Sequence, residues 1–91
     1  MAYLLTRIAV DDYDAWKPMF EEGRASVRSA AVGHRILRAI DEPGELFIQV
    51  EFSTADDARR AREQLIASGA LDRVTVKAGP TVAEPAELVE Y

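Results

Sequence analysis

The chain has no cysteine, a single histidine and a single tryptophan. Without cysteine there is no disulfide framework and no thiol nucleophile. One histidine and no cysteine cannot supply the usual zinc ligand set, so no metal is expected; no cofactor is expected either. The same shortage leaves any Ser–His pair without a partner to position it. No apolar run approaches the length of a membrane span. The first residues, MAYLLTRIAVDDY, carry no basic stretch before an apolar core, so no secretory signal is expected. These absences lead to the expectation of a soluble, cytoplasmic protein. Positive charge is also scarce. Eleven Lys and Arg against 16 Asp and Glu give a formal net charge of −5, which argues against nucleic acid and anionic membranes as partners.

What remains is 91 residues, 48% of them apolar. That suggests one domain over residues 1–91 with a real core. So short a chain buries proportionally little of its surface, and a second copy would add to that core.

Asp12 to Phe20, DYDAWKPMF, reads as the start of a first helix. Asp12 and Asp14 are both good N-cap types and suit the positive end of the helix dipole. Pro18 is costly deep in a helix, by about 3 kcal/mol, so the cap is placed at Asp14. Tyr13, Trp16, Phe20, Val27 and Ala31 repeat at helical spacing and form an apolar face. Glu21, Glu22, Arg24 and Arg28 fall mostly off that face and read as solvated. Gly33 is the expected end of the segment.

Tyr3 to Val10 reads as a first strand, apolar except at Thr6 and Arg7, of the kind usually buried on both faces. His34 to Ile40 and Glu45 to Phe52 read as two more, joined by the turn residues Asp41-Glu42-Pro43-Gly44. Leu46, Ile48, Val50 and Phe52 share one face of the third strand; Phe47, Gln49 and Glu51 share the other. Ser53 and Thr54, with Asp56 and Asp57 three residues on, resemble a capping box. A second helix follows, with Ala58, Ala61 and Leu65 inward and Gly69 as its stop. For residues 71–78, Val74 and Val76 favour a strand by propensity, while Leu71, Val74 and Ala78 fit a short helix. Gly79-Pro80 then breaks the chain, and Thr81 to Tyr91 reads as a last strand with Pro85 at an edge or bulge.

The order strand, helix, strand, strand, helix, strand specifies an α+β, ferredoxin-like split β-α-β sandwich, with an antiparallel sheet and helices on one face. RNA-recognition domains share that order. Their third strand carries paired base-stacking aromatics and a basic first residue. Here Gln49 replaces one aromatic and Glu45 the basic residue. Each stacked base is worth about 1–3 kcal/mol, so RNA binding is rejected.

With this order in place, the chain resembles the dimeric α+β barrel superfamily, and in particular the small proteins grouped with the antibiotic biosynthesis monooxygenases. The resemblance rests on DYDAWKPMF (12–20), Gly33-His34-Arg35, the turn DEPGE (41–45) and the Glu51-Phe52 pair after it. It implies a homodimer with two sheets face to face and a cavity in each subunit between sheet and helices. Its activities include cofactor-independent oxygenation of aromatic polyketides and haem degradation. It also implies a short helix, not a strand, over residues 71–78. No catalytic set transfers by position; only Trp16 matches a place where relatives carry an aromatic.

The candidate binding residues are therefore Tyr13, Trp16 and Phe20, which could line a pocket for an apolar or aromatic molecule or be ordinary core. His34 is the candidate base or haem ligand, against a plain surface or interface role. Arg7, Arg38, Gln49 and Glu51 on the mixed sheet faces could orient a substrate, or could form polar contacts across a dimer interface. Because two helices cover only one face of the sheet, a homodimer through Leu5, Phe47 and Gln49 is expected. The function expected is binding of a small apolar or aromatic molecule, with cofactor-independent monooxygenase or cyclase activity. The alternative is a non-catalytic structural or regulatory dimer.

Overall fold

The computed structural model describes residues 1–91. Four strands and two α-helices follow one another as β1 (Ala2–Ala9), α1 (Tyr13–Glu22), β2 (Ala31–Arg38), β3 (Glu45–Phe52), α2 (Ala55–Ser68) and β4 (Thr75–Ala83). The strands form one antiparallel sheet in the order β2-β3-β1-β4. Both helices lie on one face, giving the ferredoxin-like α+β architecture. No helix is long and apolar enough to cross a membrane.

The side-chain alternation of β1 and β3 sorts the sheet into two faces. Leu4 and Ile8 from β1, with Leu46, Ile48, Val50 and Phe52 from β3, point under the helices and are buried. Ala58 and Ala61 of α2 are buried against them, because small side chains let the helix approach closely. On the opposite face, cross-strand partners line up as Leu37–Phe47–Arg7 and Arg35–Gln49–Leu5. Leu5, Leu37 and Phe47 are 36–44% exposed there, so only one face of the centre strands is covered within a single chain. Arg38, in contrast, shares the helix side with Leu46 and stacks 4.7 Å over the Tyr13 ring. It is not part of the open face.

α1 starts earlier than Asp14. Asp12 has extended backbone (φ −141°, ψ 109°), and its carboxylate accepts from the amides of Asp14 at 3.0 Å and Ala15 at 3.4 Å. Pro18 is consequently inside the helix. Its missing N–H would have met the Asp14 carbonyl, but Asp14 is exposed, so water can satisfy that group. The helix also ends a full ten residues before Gly33. Gly23, Ser26 and Ser29 are weak helix formers, and residues 23–30 form successive turns. The amides of Val27 and Arg28 both donate to the Gly23 carbonyl, at 2.9 and 3.0 Å. β2 then begins at Ala31, pairing with Phe52, rather than at His34. α2 agrees with its signals: the Thr54 hydroxyl accepts from the Asp57 amide at 3.1 Å, and Gly69 closes the helix at φ +78°.

The C-terminal third departs most from expectation. Residues 70–73 make a single 3-10 turn, but Thr75 to Lys77 are strand, so local β propensity prevails over the short helix. Gly79-Pro80 does not break the chain; β4 runs through it as a bulge, with a cis Gly79–Pro80 bond. A bulge on an edge strand is where proline is tolerated. Gly79 has φ +82°, and a Cβ there would run into the Leu5 carbonyl oxygen. The last strand stops at Ala83 instead of reaching Tyr91, because Ala83 already pairs with Tyr3 near the start of β1. Beyond it Leu88, Val89 and Tyr91 are exposed.

Candidate functional site

α2 is packed closely on the sheet, whereas α1 stands off it. The space left between α1, the turns that follow it, the end of α2 and the buried faces of β1 and β3 is a cavity of about 330 Å³. Twelve of its 19 lining residues are hydrophobic. Leu4, Ile8, Ile48 and Val50 form the floor from the sheet. Trp16, Met19 and Phe20 form the α1 wall, and Leu65 and Leu71 close the α2 end. A more open and more polar recess adjoins it beyond Trp16 and Met19, which line both.

The aromatic wall is built by helical spacing. Trp16 is flanked by Tyr13 at 5.8 Å and Phe20 at 5.1 Å between ring centroids, both tilted. Trp16 and Phe20 line the cavity; Tyr13 does not, and backs Trp16 from the side of Arg38. Trp16 is at once a core residue, only 8% exposed, and a cavity wall. His34 is outside the lining. It meets the Phe20 ring edge-on at 5.1 Å and is exposed on the edge strand. Partial burial holds its pKa below the ordinary value, and the nearby cations Arg28, Lys17 and Arg24 add to that, opposed by Glu21.

Two buried polar residues enter this apolar surface. Thr6 occupies a core-facing position of β1, opposite Ile48. Arg28 is 8% exposed, although helical periodicity made it a solvated residue. The turns after Glu22 fold it back, so that its guanidinium is 3.6 Å over the Phe20 ring and an Nη donates to the Phe20 carbonyl at 2.5 Å. This satisfies one of the last carbonyls of α1 and puts a cation at the negative end of the helix, where the last turn itself has none. Burial lowers the Arg28 pKa from its usual value. The group nonetheless remains a cation, since guanidinium does not deprotonate in proteins. The sequence held one hint of this site, the threonine that interrupts the core-facing residues of the first strand. It held none for Arg28, whose position depends on irregular turns.

On the open face of the sheet, Arg7 pairs with Glu45 and its guanidinium is 5.4 Å from the Phe47 ring. The hydrogen bond from Arg7 holds the Glu45 carboxyl below its ordinary pKa. These groups are remote from the cavity, on the other side of the sheet.

No family model matches the sequence, and no curated protein matches it. Among solved structures, a crystal structure described as a "Putative antibiotic biosynthesis monooxygenase" from Bordetella bronchiseptica is similar over 97% of each chain, with a TM-score of 0.57 and 18% sequence identity. At that identity the likeness speaks to architecture alone: the chain shares the ferredoxin-like α+β fold of that structure.

Proposed function

We propose that this protein binds a small apolar or aromatic molecule in the cavity between the sheet and α1, as a homodimer. The observation that carries this reading is the cavity itself: about 330 Å³, within the roughly 300–1,000 Å³ of ligand pockets, and lined mainly by apolar groups with Trp16 and Phe20 on one wall. The neighbour's description as a monooxygenase supports monooxygenation as the reaction class; in this reading the reaction is a cofactor-independent monooxygenation or cyclisation of an aromatic substrate. The cavity's part would be to strip water from the substrate and hold it in a reactive pose. Trp16 and Phe20 hold the ring in this reading, Tyr13 supports Trp16, and His34 has no assigned proton-transfer role.

The open sheet face supports the dimer. Leu5, Leu37 and Phe47 are exposed beside charges of both signs, Arg35 and Glu51. A surface with both signs can be complementary to itself across a two-fold axis. Light scattering at micromolar concentration should report a dimer, and F47E should shift it to monomer; a monomeric native protein would refute this part.

The ligand is tested by Trp16 fluorescence, which is unmixed because no other tryptophan is present. A panel of polycyclic aromatic compounds should quench it saturably. No saturable quenching by any member would overturn the ligand reading and leave a non-catalytic dimer.

A further inference from the structure

Among the groups that line the cavity, only two polar residues are buried, and only one of those is charged. Arg28 has no carboxylate within ion-pair distance; the four ion pairs of the chain all lie elsewhere. Its neighbours are a π face and a carbonyl oxygen, both from Phe20. A guanidinium offers five N–H donors in a fixed fork, and the Phe20 carbonyl takes one of them. No side-chain polar atom is sealed away without a partner, so the remaining donors open onto accessible space, and the space Arg28 lines is the cavity. Burying a cation without a carboxylate in contact is costly; Glu21 acts on Arg28 only from beyond ion-pair distance, and Glu22 lines the cavity without pairing with it. Packing against Phe20 offsets part of that cost, but a neutral residue could fill the same position without it.

We infer that the cavity is built for an aromatic or fused-ring ligand bearing an anionic oxygen, a carboxylate or an enolate, with the apolar body on Trp16 and Phe20 and the anion at the Arg28 guanidinium. This rests on the reading of the cavity as a ligand site. It adds the sign of the ligand's charge and the residue that recognises it. The planar fork matches a carboxylate by two parallel hydrogen bonds, which also fixes which end of the ligand enters first. An enolic ligand that has already given its proton to solvent is held there as the anion, so the same contact that selects the ligand favours its electron-rich form.

The test is a matched pair of probes of nearly equal shape, 2-naphthoate and the neutral 2-naphthamide, titrated into the full chain by calorimetry at neutral pH. The native protein should bind the naphthoate about tenfold or more tightly than the amide, the worth of a charged hydrogen bond. R28Q should bring naphthoate down to the level of the amide and leave the amide unchanged. R28K should keep an intermediate preference. R24Q removes the same charge from an exposed residue outside the lining and should keep the full preference. Equal affinities in the native protein would overturn the inference while leaving the cavity as a neutral-ligand site. Equal weakening of both probes by R28Q would also overturn it, since Arg28 would then act only by holding α1. Binding of neither probe would overturn the ligand reading and the inference together. Should R28Q fail to fold by circular dichroism, the native protein and R28K still decide the matter.

Discussion

Replacing Trp16 with alanine tests whether a residue can be core and cavity wall together. An aromatic side chain buries about 150–250 Å², which at about 25 cal/mol per Å² gives about 4–6 kcal/mol. A compact unfolded chain already hides some of that area and lowers the figure to about 3–5 kcal/mol. That matches the usual cost of Trp→Ala in a closed core. Trp16 is 8% exposed, so nearly all of that area is withdrawn from bulk water. One side of the ring, however, borders the cavity, and a surface facing a void makes no dispersion contacts there. W16A should therefore cost about 2–3 kcal/mol, short of the closed-core range. The internal standard is Phe52, fully buried and absent from the cavity lining, for which F52A should cost the full 3–5 kcal/mol or so. Urea unfolding followed by circular dichroism measures both, at one protein concentration because an oligomer's stability depends on it. In thermal melts the W16A loss corresponds to about 10–20 °C for a chain of this size. A W16A loss equal to that of F52A would mean the ring is enclosed on all sides. A loss under about 1 kcal/mol would mean it is not core. Either result refutes the dual placement.

Other perturbations probe the frame around the site. G79A should destabilise by more than about 1–3 kcal/mol, because φ is positive there and a Cβ meets the Leu5 carbonyl; G33A, with open space around it, should be near neutral in the same urea assay. D12A should cost about 1 kcal/mol as the lost cap of α1, while D14A should cost only the few tenths of a helix-dipole charge, roughly 0.3–1 kcal/mol; equal losses would contradict the cap assignment. His34 has its pKa lowered from 6.5 by burial and by Arg28, Lys17 and Arg24, against Glu21. The unfolded chain thus binds the proton more readily, so stability should fall as pH drops below about 6.5 towards the folded value and level off beneath it. H34N should flatten that part of the Tm–pH curve, and an unchanged slope would refute it.

How much of this was legible in the sequence depends on the range of the interaction concerned. β3 was readable to the residue, because strict alternation of Leu46, Ile48, Val50 and Phe52 is a local signal and the strand is central. α2 was readable at its end from Gly69 and at its start to within one residue, Ser53 or Thr54, because such caps act on their own immediate backbone. α1 was readable as an element but not in its length. Val27 and Ala31 continued its periodicity by coincidence, and that apparent face masked the local signal of the weak helix formers Gly23, Ser26 and Ser29. β4 was misplaced at its start because the family resemblance was set above the strand propensity of Val74 and Val76, and at its end because its extent is set by its partner. Pairing with β1 draws Thr75 into the sheet and ends at Ala83, where β1 itself runs out. The Gly-Pro pair, a break when considered alone, becomes a bulge once it has an edge to sit on.

The site follows the same division. Trp16 and Phe20 were visible because they share a helical face, and both line the cavity. Tyr13 shares that spacing but lies one step too far along, where Arg38 covers it. His34 was singled out for its chemistry, yet strand register puts it against the outer edge of Phe20. Arg28 reaches the same ring by a reversal of the chain over eight residues, a contact no periodicity encodes. Phe20 is therefore the hinge of the local arrangement: its ring separates the titratable group, His34, from the cavity that holds the permanent cation. The cations that line the cavity, Arg28 and Arg73, do not themselves titrate in the pH range of histidine. The proposed recognition of an anion there would vary mainly with the ligand's own ionisation, with His34 acting on it only through its field on Arg28.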